Sequence, residues 1–147
     1  MSRPFNIRVY GILINTKNQV LLSDEKRFGQ QFTKFPGGGL EFGEGTKDCL
    51  KREFEEELDL KVEVDELIYL TDYFQVSAFD KNEQLISIYY RVHTKSWEDI
   101  SCKERVYDFE GNEQEVQRWK SISELSKNDL TFPVDKIVVQ KLKEILS

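Results

Sequence analysis

The run Pro36-Gly37-Gly38-Gly39 divides this chain more sharply than any other feature. No helix passes through a proline followed by three residues without side chains. The residues before the run are strand-like. Ile7 to Ile14 is rich in β-forming residues, Gln19-Val20-Leu21-Leu22 makes a second short strand, and Asn15-Thr16-Lys17-Asn18 supplies a turn between them. Gly29 to Phe35 leads into the break. The residues after the run are helical. Thr46 is a residue type that caps helix N-termini, and Lys47, Leu50, Phe54 and Leu58 succeed it at helical spacing, so a helix is predicted to about Leu58.

Further on, Lys61 to Val64 and Ile68 to Val76 read as strands, and Leu85 to Thr94 is the strongest strand signal. Glu98 to Asn112 is polar and reads as loop, with a short strand near Val106-Tyr107. Val116 to Trp119 is another short strand. Ser121 or Ser123 begins a helical turn, and Pro133 to Leu146 forms a closing helix with Ile137, Val138, Leu142, Ile145 and Leu146 as its apolar side. Strands mixed with two main helices indicate the α+β class, a sandwich with helices packed on a curved mixed sheet.

The 147 residues suit one domain, 1–147, and suffice for a hydrophobic core without staples. A net charge of −6 disfavours a nucleic-acid backbone as partner, yet leaves a free nucleotide open, because a bound divalent metal inverts the local field. Cys49 and Cys102 form no CxxC pair, which points to a reducing compartment rather than a disulfide framework or structural zinc. The start, Met1-Ser2-Arg3-Pro4-Phe5, lacks the apolar run of a signal peptide, and no stretch has the length of a membrane span. A cytoplasmic protein with no membrane partner is expected.

The chemistry lies in Gly37 to Leu60. Glu53, Glu56 and Glu57 stand at i, i+3 and i+4, so their carboxylates share one helix face. Leu50, Phe54 and Leu58 occupy another face and dock the helix. Clustered carboxylates repel, and a hard divalent cation with oxygen ligands relieves that repulsion; Mg²⁺ and Mn²⁺ prefer this ligand set. The glycines ahead of the helix let backbone approach a phosphate closely. Taken alone, the same spacing is that of a solvated helix face paired with Lys47, Lys51 and Arg52.

The full pattern decides between these readings. It resembles the Nudix box, G-x5-E-x7-R-E-U-x-E-E-x-G-U with U aliphatic or bulky. The matching positions are Gly38, Glu44, Arg52, Glu53, Phe54, Glu56, Glu57 and Leu60. Phe54 is bulky but aromatic. Asp59 stands where the family has Gly, just past the helix end, where a left-handed residue caps it; Asp tolerates that geometry better than most side chains. The strand Val20-Leu21-Leu22, the entry Phe35-Pro36-Gly37-Gly38, and Trp119 followed by Ser123-Glu124-Leu125 also look like the family's frame, in the manner of its MutT-like members.

The resemblance implies a Nudix-type α/β/α sandwich and an Mg²⁺-dependent (or Mn²⁺-dependent) pyrophosphohydrolase that attacks one phosphorus of a pyrophosphate with water. By position, Glu56, Glu57, Glu53 and the carbonyl of Gly37 would hold metal. Glu53 would also position or deprotonate the water, and Arg52 would orient the neighbouring carboxylates. Glu44 is a water-mediated or outer ligand candidate. In some members an acid on a late loop completes the site; here that is Glu113 or Glu115, either of which is equally well a solvated loop residue. Asp135, near the start of the last helix, is a candidate for reading a nucleobase edge and equally a first-turn acid favoured by the helix dipole.

Other residues carry less. His93 is read as a structural or surface histidine and Cys49 as a small packing residue. Phe28, Phe32, Phe35, Tyr73 and Tyr90 are candidates for stacking on a base, most of them core. There is no SQPWPFPxS-like array after Leu60, Gln75 and Val76 stand where ADP-ribose cleavers often have Pro, and the tyrosine typical of dinucleoside polyphosphate cleavers is missing. What remains is a nucleoside triphosphate or a nucleotide sugar, bound by a monomer or homodimer. A non-catalytic nucleotide-sensing Nudix module is the alternative. Such modules commonly lose box carboxylates, and this chain keeps Glu53, Glu56 and Glu57. Isomerase chemistry on the same fold would need further groups that the sequence does not supply.

Overall fold

The structure is a computed structural model that describes residues 4–146. Met1, Ser2 and Arg3, part of the N-terminal stretch lacking a signal-peptide pattern, lie outside the described residues. The elements run in the order β1 (Phe5–Leu13), β2 (Gln19–Arg27), β3 (Gln30–Lys34), β4 (Gly37–Gly39), α1 (Thr46–Leu58), β5 (Glu63–Leu70), β6 (Gln84–His93), β7 (Glu115–Ser121) and α2 (Pro133–Leu146). Single 3-10 turns occupy Trp97–Asp99 and Lys127–Asp129. Strands and two helices of these lengths place the chain in the α+β class. No helix among the described residues is long and apolar enough to cross a membrane. The chain divides into two compact units, the first from residues up to Ile12 with Gly37–Thr94, the second from Leu13–Pro36 with the residues from Lys95 on.

The first unit holds a four-stranded sheet in the order β4-β1-β6-β5, together with α1. The glycine run does more than break a helix: Gly37–Gly39 is itself a strand, pairing antiparallel with β1 through Tyr10↔Gly37, Val9↔Gly38 and Arg8↔Gly39. A Cβ on Gly37 would run into the Val9 carbonyl oxygen and the Tyr10 backbone. Only glycine lets the two strands come this close. Helix α1 buries Cys49, Leu50 and Phe54. The Phe54 ring packs over Gly11, where a Cβ would stand 2.7 Å from its Cε1, so β1 is flat at the point where the helix crosses it. Val9, Ile12, Val62, Tyr89 and Val92 fill the rest of this core.

One expectation for this unit is corrected. The two strands expected at Lys61–Val64 and Ile68–Val76 are a single strand, Glu63–Leu70, with bulges between Val64 and Leu67 and between Leu67 and Tyr69; Val76 makes only an isolated bridge to Gln84. β5 closes the sheet order, and bulges are a common device of such edges. They interrupt the alternation that would have announced the strand.

The second unit holds the sheet β3-β2-β7 and helix α2. β2 runs five residues past Leu22, through Ser23-Asp24-Glu25-Lys26-Arg27, and returns as β3 across a two-residue turn. The turn is Phe28-Gly29, both with positive φ (53° and 73°), as a type I′ hairpin turn requires. Charge hid the end of β2, and the unusual Phe at the turn hid β3. β7 extends the expected Val116–Trp119 to Glu115–Ser121. Val106-Tyr107 is not a strand: Tyr107 takes φ 56° and its N–H donates to Asp24 Oδ2 at 3.2 Å. Asp24 is fully buried and also accepts from Arg118 Nε (2.7 Å) and Thr33 Oγ1 (2.7 Å). Three donors satisfy the buried charge, and they tie residues 101–112 to the sheet.

Helix α2 spans Pro133–Leu146 as predicted, but it buries Val134, Asp135, Val138, Val139 and Leu142, whereas Ile145 and Leu146 are exposed. The buried stripe sits one turn earlier than expected, because the sequence pattern does not say where along the helix its support ends. The helical turn expected at Ser121 or Ser123 is a hydrogen-bonded turn; the 3-10 helix proper starts later, capped by Ser126 in a reciprocal capping box with Asp129.

Candidate active site

The acidic helix enters from a tight loop. Gly45, not Thr46, is the N-cap of α1 and gives no side-chain cap, while the Thr46 hydroxyl is hydrogen-bonded at 2.6 Å to the hydroxyl of Tyr90 on β6. Thr46 therefore anchors the helix start to the sheet instead of capping it. At the other end Asp59 adopts φ 50°, ψ 44°, and its N–H donates to the Glu55 carbonyl at 3.1 Å. The cap takes the left-handed form that the family fills with glycine. Asp59→Gly should be neutral or slightly stabilising, whereas Asp59→Val should lose about 1 kcal/mol. Denaturant unfolding of the two variants measures this, and equal stability of both would contradict the cap.

Arg52 organises the carboxylates. Its Nε and Nη2 grip Glu44 at 3.0 and 2.7 Å, Nη2 also donates to the Gly39 carbonyl at 3.1 Å, and Nη1 donates to Glu53 at 3.0 Å and to Glu56 at 3.2 Å. Arginine's planar fork suits such a multi-point clamp in a way lysine cannot match. The hydrogen bonds from Arg52, assisted by that from the Glu41 N–H, hold Glu44 down at about 2 against an ordinary 4.5. A depressed carboxylate stabilises the fold above its ordinary pKa and loses that contribution as pH falls through the depressed value. The Arg52 guanidinium is held firmly charged, first by Glu44 and then by Glu53.

Glu53 is nearly buried, its side chain 12% exposed. Its carboxyl lies over Gly38, so close that a Cβ there would overlap it. The second glycine of the run thus makes the seat of the central carboxylate. Glu56 is 59% exposed and Glu57 is also exposed. Cys49 is fully buried, its Sγ donating to the Gly39 carbonyl at 3.5 Å, and burial, with Glu44 next, pushes the thiol up to about 12. It is a packing residue and not a nucleophile. His93 is exposed and pairs with Asp65 at 2.6 Å on the neighbouring strand.

The donors gathered here are hard oxygens of carboxylates and backbone, the set a hard divalent cation prefers. Among the described residues, however, no three acidic, histidine or cysteine side chains stand together as a metal-holding group. Glu53 and Glu56 instead meet on one nitrogen of Arg52. The donor chemistry fits the cation; the side-chain positions are those of a cluster neutralised by arginine.

The remaining acidic candidates belong to the second unit. Glu113 is exposed, accepts from the Glu110 N–H (2.9 Å) and pairs with Lys103 (3.2 Å), which hold its carboxyl below the usual range. Glu115 is the first residue of β7 and not a loop residue; burial, and next the charge of Glu25, push it up to about 7. Asp135 lies in the first turn of α2 and is buried. Of the aromatic candidates, Phe32 and Phe35 are core, Tyr90 is bound to Thr46, and Phe28 and Tyr73 are exposed. Sequence reasoning missed Tyr90's anchoring role and the Gly39 carbonyl, and neither left a local signal.

The NUDIX domain family matches residues 4–142. An RNA pyrophosphohydrolase of Ruthia magnifica subsp. Calyptogena magnifica is 40% identical over 62 residues, 42% of this chain but only 34% of that relative. Among solved structures, the MutT protein of Methanosarcina mazei Go1 superposes with a TM-score of 0.69 at 16% identity, covering 100% of this chain and 99% of that one. A NUDIX hydrolase of Nitrosomonas europaea gives 0.69 at 18%, covering 97% and 90%. The MutT protein of methicillin-resistant Staphylococcus aureus 252 gives 0.62 at 23%, covering 99% of each chain. At these identities the likeness is one of fold.

Proposed function

The chain belongs to the NUDIX family, and on that premise we propose that it is a phosphoanhydride hydrolase, an Mg²⁺-dependent pyrophosphohydrolase of free nucleotides. Its substrate is a nucleoside diphosphate linked to another group, a nucleoside triphosphate or a nucleotide sugar. The single observation that carries this reading is the seat of Glu53 over Gly38 within the Arg52 clamp. A nearly buried carboxylate positioned by a glycine backbone and an arginine is built for a fixed task, whereas a solvated helix face has no need of one.

In this reading Glu53, Glu56, Glu57 and the Gly37 carbonyl hold the cation, with Glu44 outside them. When bound, the cation lowers the pKa of a water and neutralises charge on the phosphoryl oxygens. Glu53 orients the attacking water or takes its proton. Arg52 keeps Glu44 fixed and, through its Nη2 bond to the Gly39 carbonyl, ties the glycine strand to the helix.

The relative named RNA pyrophosphohydrolase acts, by that name, on the same kind of bond. The net charge of −6 favours a free nucleotide here. The retained carboxylates favour turnover over nucleotide sensing, and the free thiols of Cys49 and Cys102 favour a cytoplasmic enzyme. A panel of nucleoside triphosphates, nucleotide sugars and a 5′-triphosphorylated RNA, incubated with Mg²⁺, tests the proposal through orthophosphate release with and without added phosphatase. Turnover of free nucleotides is expected. Turnover of the RNA alone would overturn the substrate class, and turnover of none would overturn the function.

Asp135 is proposed to read the base edge. Asp135→Ala should then raise KM far more than it lowers kcat and shrink the difference between purine and pyrimidine substrates. Unchanged KM throughout the panel would leave Asp135 as a first-turn acid of α2.

A further inference from the structure

One face of the β3-β2-β7 sheet carries a buried set of charges that the proposed reaction leaves unexplained. Glu25 on β2 and Glu115 on β7 stand directly opposite each other in the antiparallel register. Like charges at directly opposed positions destabilise a strand pair. One row along, Ser23 stands opposite Lys34 on β3 and opposite Gln117 on β7. Lys34 Nζ pairs with Glu25 Oε2 at 2.9 Å, both side chains under a tenth exposed, and Ser23 Oγ donates to the same oxygen at 3.0 Å. Gln117 Nε2 donates to Glu115 at 3.3 Å. One cation thus faces two carboxyl groups. With a single cation facing them, the two carboxyl groups are balanced when one of them carries a proton.

The strand end that holds Glu115 also closes the segment before it. The Lys26 N–H donates to the Gln114 carbonyl at 2.9 Å, and the Lys103 N–H donates to the Gln117 carbonyl at 2.7 Å. Lys103 Nζ then clasps Glu110 and Glu113 from within the same segment. If the first pair of β7 opens, residues 103–114 lose their anchor at Gln114 and keep those of Lys103 to Gln117 and of Tyr107 to Asp24.

We propose that the opposed carboxyl groups of Glu25 and Glu115, with Lys34, form a proton-operated latch that fastens the start of β7 to β2 and frees the Gln114 end of residues 103–114 when the proton leaves. The charged groups that act on Glu115 are Glu25 from β2 and Lys34 from β3, and on its own strand Gln117 hydrogen-bonds to it. Burial, then Glu25, raise Glu115 from 4.5 to about 7, with Lys34 opposing. An acid raised in the closed form contributes fully below its ordinary value and loses that contribution as pH rises toward the raised one. The opening equilibrium therefore grows by up to about tenfold per pH unit from 4.5 to about 7 and is level above that.

Hydrogen exchange on the full chain from pH 5 to 8, expressed as protection factors, reads the latch at the Lys26 and Lys103 amides, with amides in the middle of α2 as the reference. In the native chain the Lys26 protection factor should fall by one to two orders of magnitude and then level off, while α2 amides that exchange without opening β7 stay flat. Glu115→Gln, a neutral mimic of the protonated acid, should remove the pH dependence and keep the amide protected at pH 8. Glu25→Gln should move the window down, and Lys34→Met should move it up. A flat Lys26 profile in the native chain, or the native pH dependence persisting in Glu115→Gln, would overturn the latch. Should Glu115→Gln fail to fold, an unmoved window in Glu25→Gln overturns it equally.

Discussion

Glu53→Gln should lower kcat by about two orders of magnitude or more while leaving the fold intact. The substitution keeps size and hydrogen bonding but removes the charge seated over Gly38 between that glycine and Arg52. A cation and an attacking water would lose the anchor they share. Stability should change little or rise, because relieving carboxylate repulsion favours the metal-free protein. Glu57→Gln should be similarly damaging, as it removes another proposed ligand. Glu55→Gln, on an exposed position turned away from the Arg52 cluster, should be near neutral. Steady-state kinetics of the three variants decides the matter. A loss in Glu55→Gln as large as that in Glu53→Gln would mean that the wrong helix face has been assigned.

Both helices were legible in the sequence because each carries a pattern along its own length. The spacing of Leu50 and Phe54 gave α1, and Pro133 marked the start of α2. The box around Arg52 and Glu53 was legible for the same reason: its chemistry requires carboxylates at fixed helical offsets, and those offsets are written locally. What the sequence hid depends on partners distant in the chain. Gly37–Gly39 reads as a break, yet pairing with Val9 and Tyr10 turns it into a strand. Thr46 reads as a cap, yet Tyr90, on another strand, claims its hydroxyl. The strand signal stops at Leu22, before Ser23 to Arg27. Only the register with Lys34 and Glu115 shows why Glu25 is buried there. The same limit applies to Glu113 and Glu115, which sequence could not separate. Burial separates them, with one carboxyl exposed on a lysine and the other held near neutrality against a second acid.

Removing divalent metal should abolish turnover altogether, a larger effect than that of any single substitution. Glu53, Glu56 and Glu57 offer only oxygen ligands, and the donors of Arg52, which sits among them, are already engaged by Glu44, Glu53, Glu56 and the Gly39 carbonyl. Arginine keeps Glu53 and Glu56 neutralised when no cation is present, so the chelated protein should remain folded and the loss should be reversible. The direct test is turnover of a nucleoside triphosphate or nucleotide sugar by the native chain in excess chelator, then titration with Mg²⁺ or Mn²⁺, with circular dichroism recorded throughout. The account predicts no turnover in chelator, an unchanged spectrum, and activity restored by either metal. Full activity in excess chelator would contradict it.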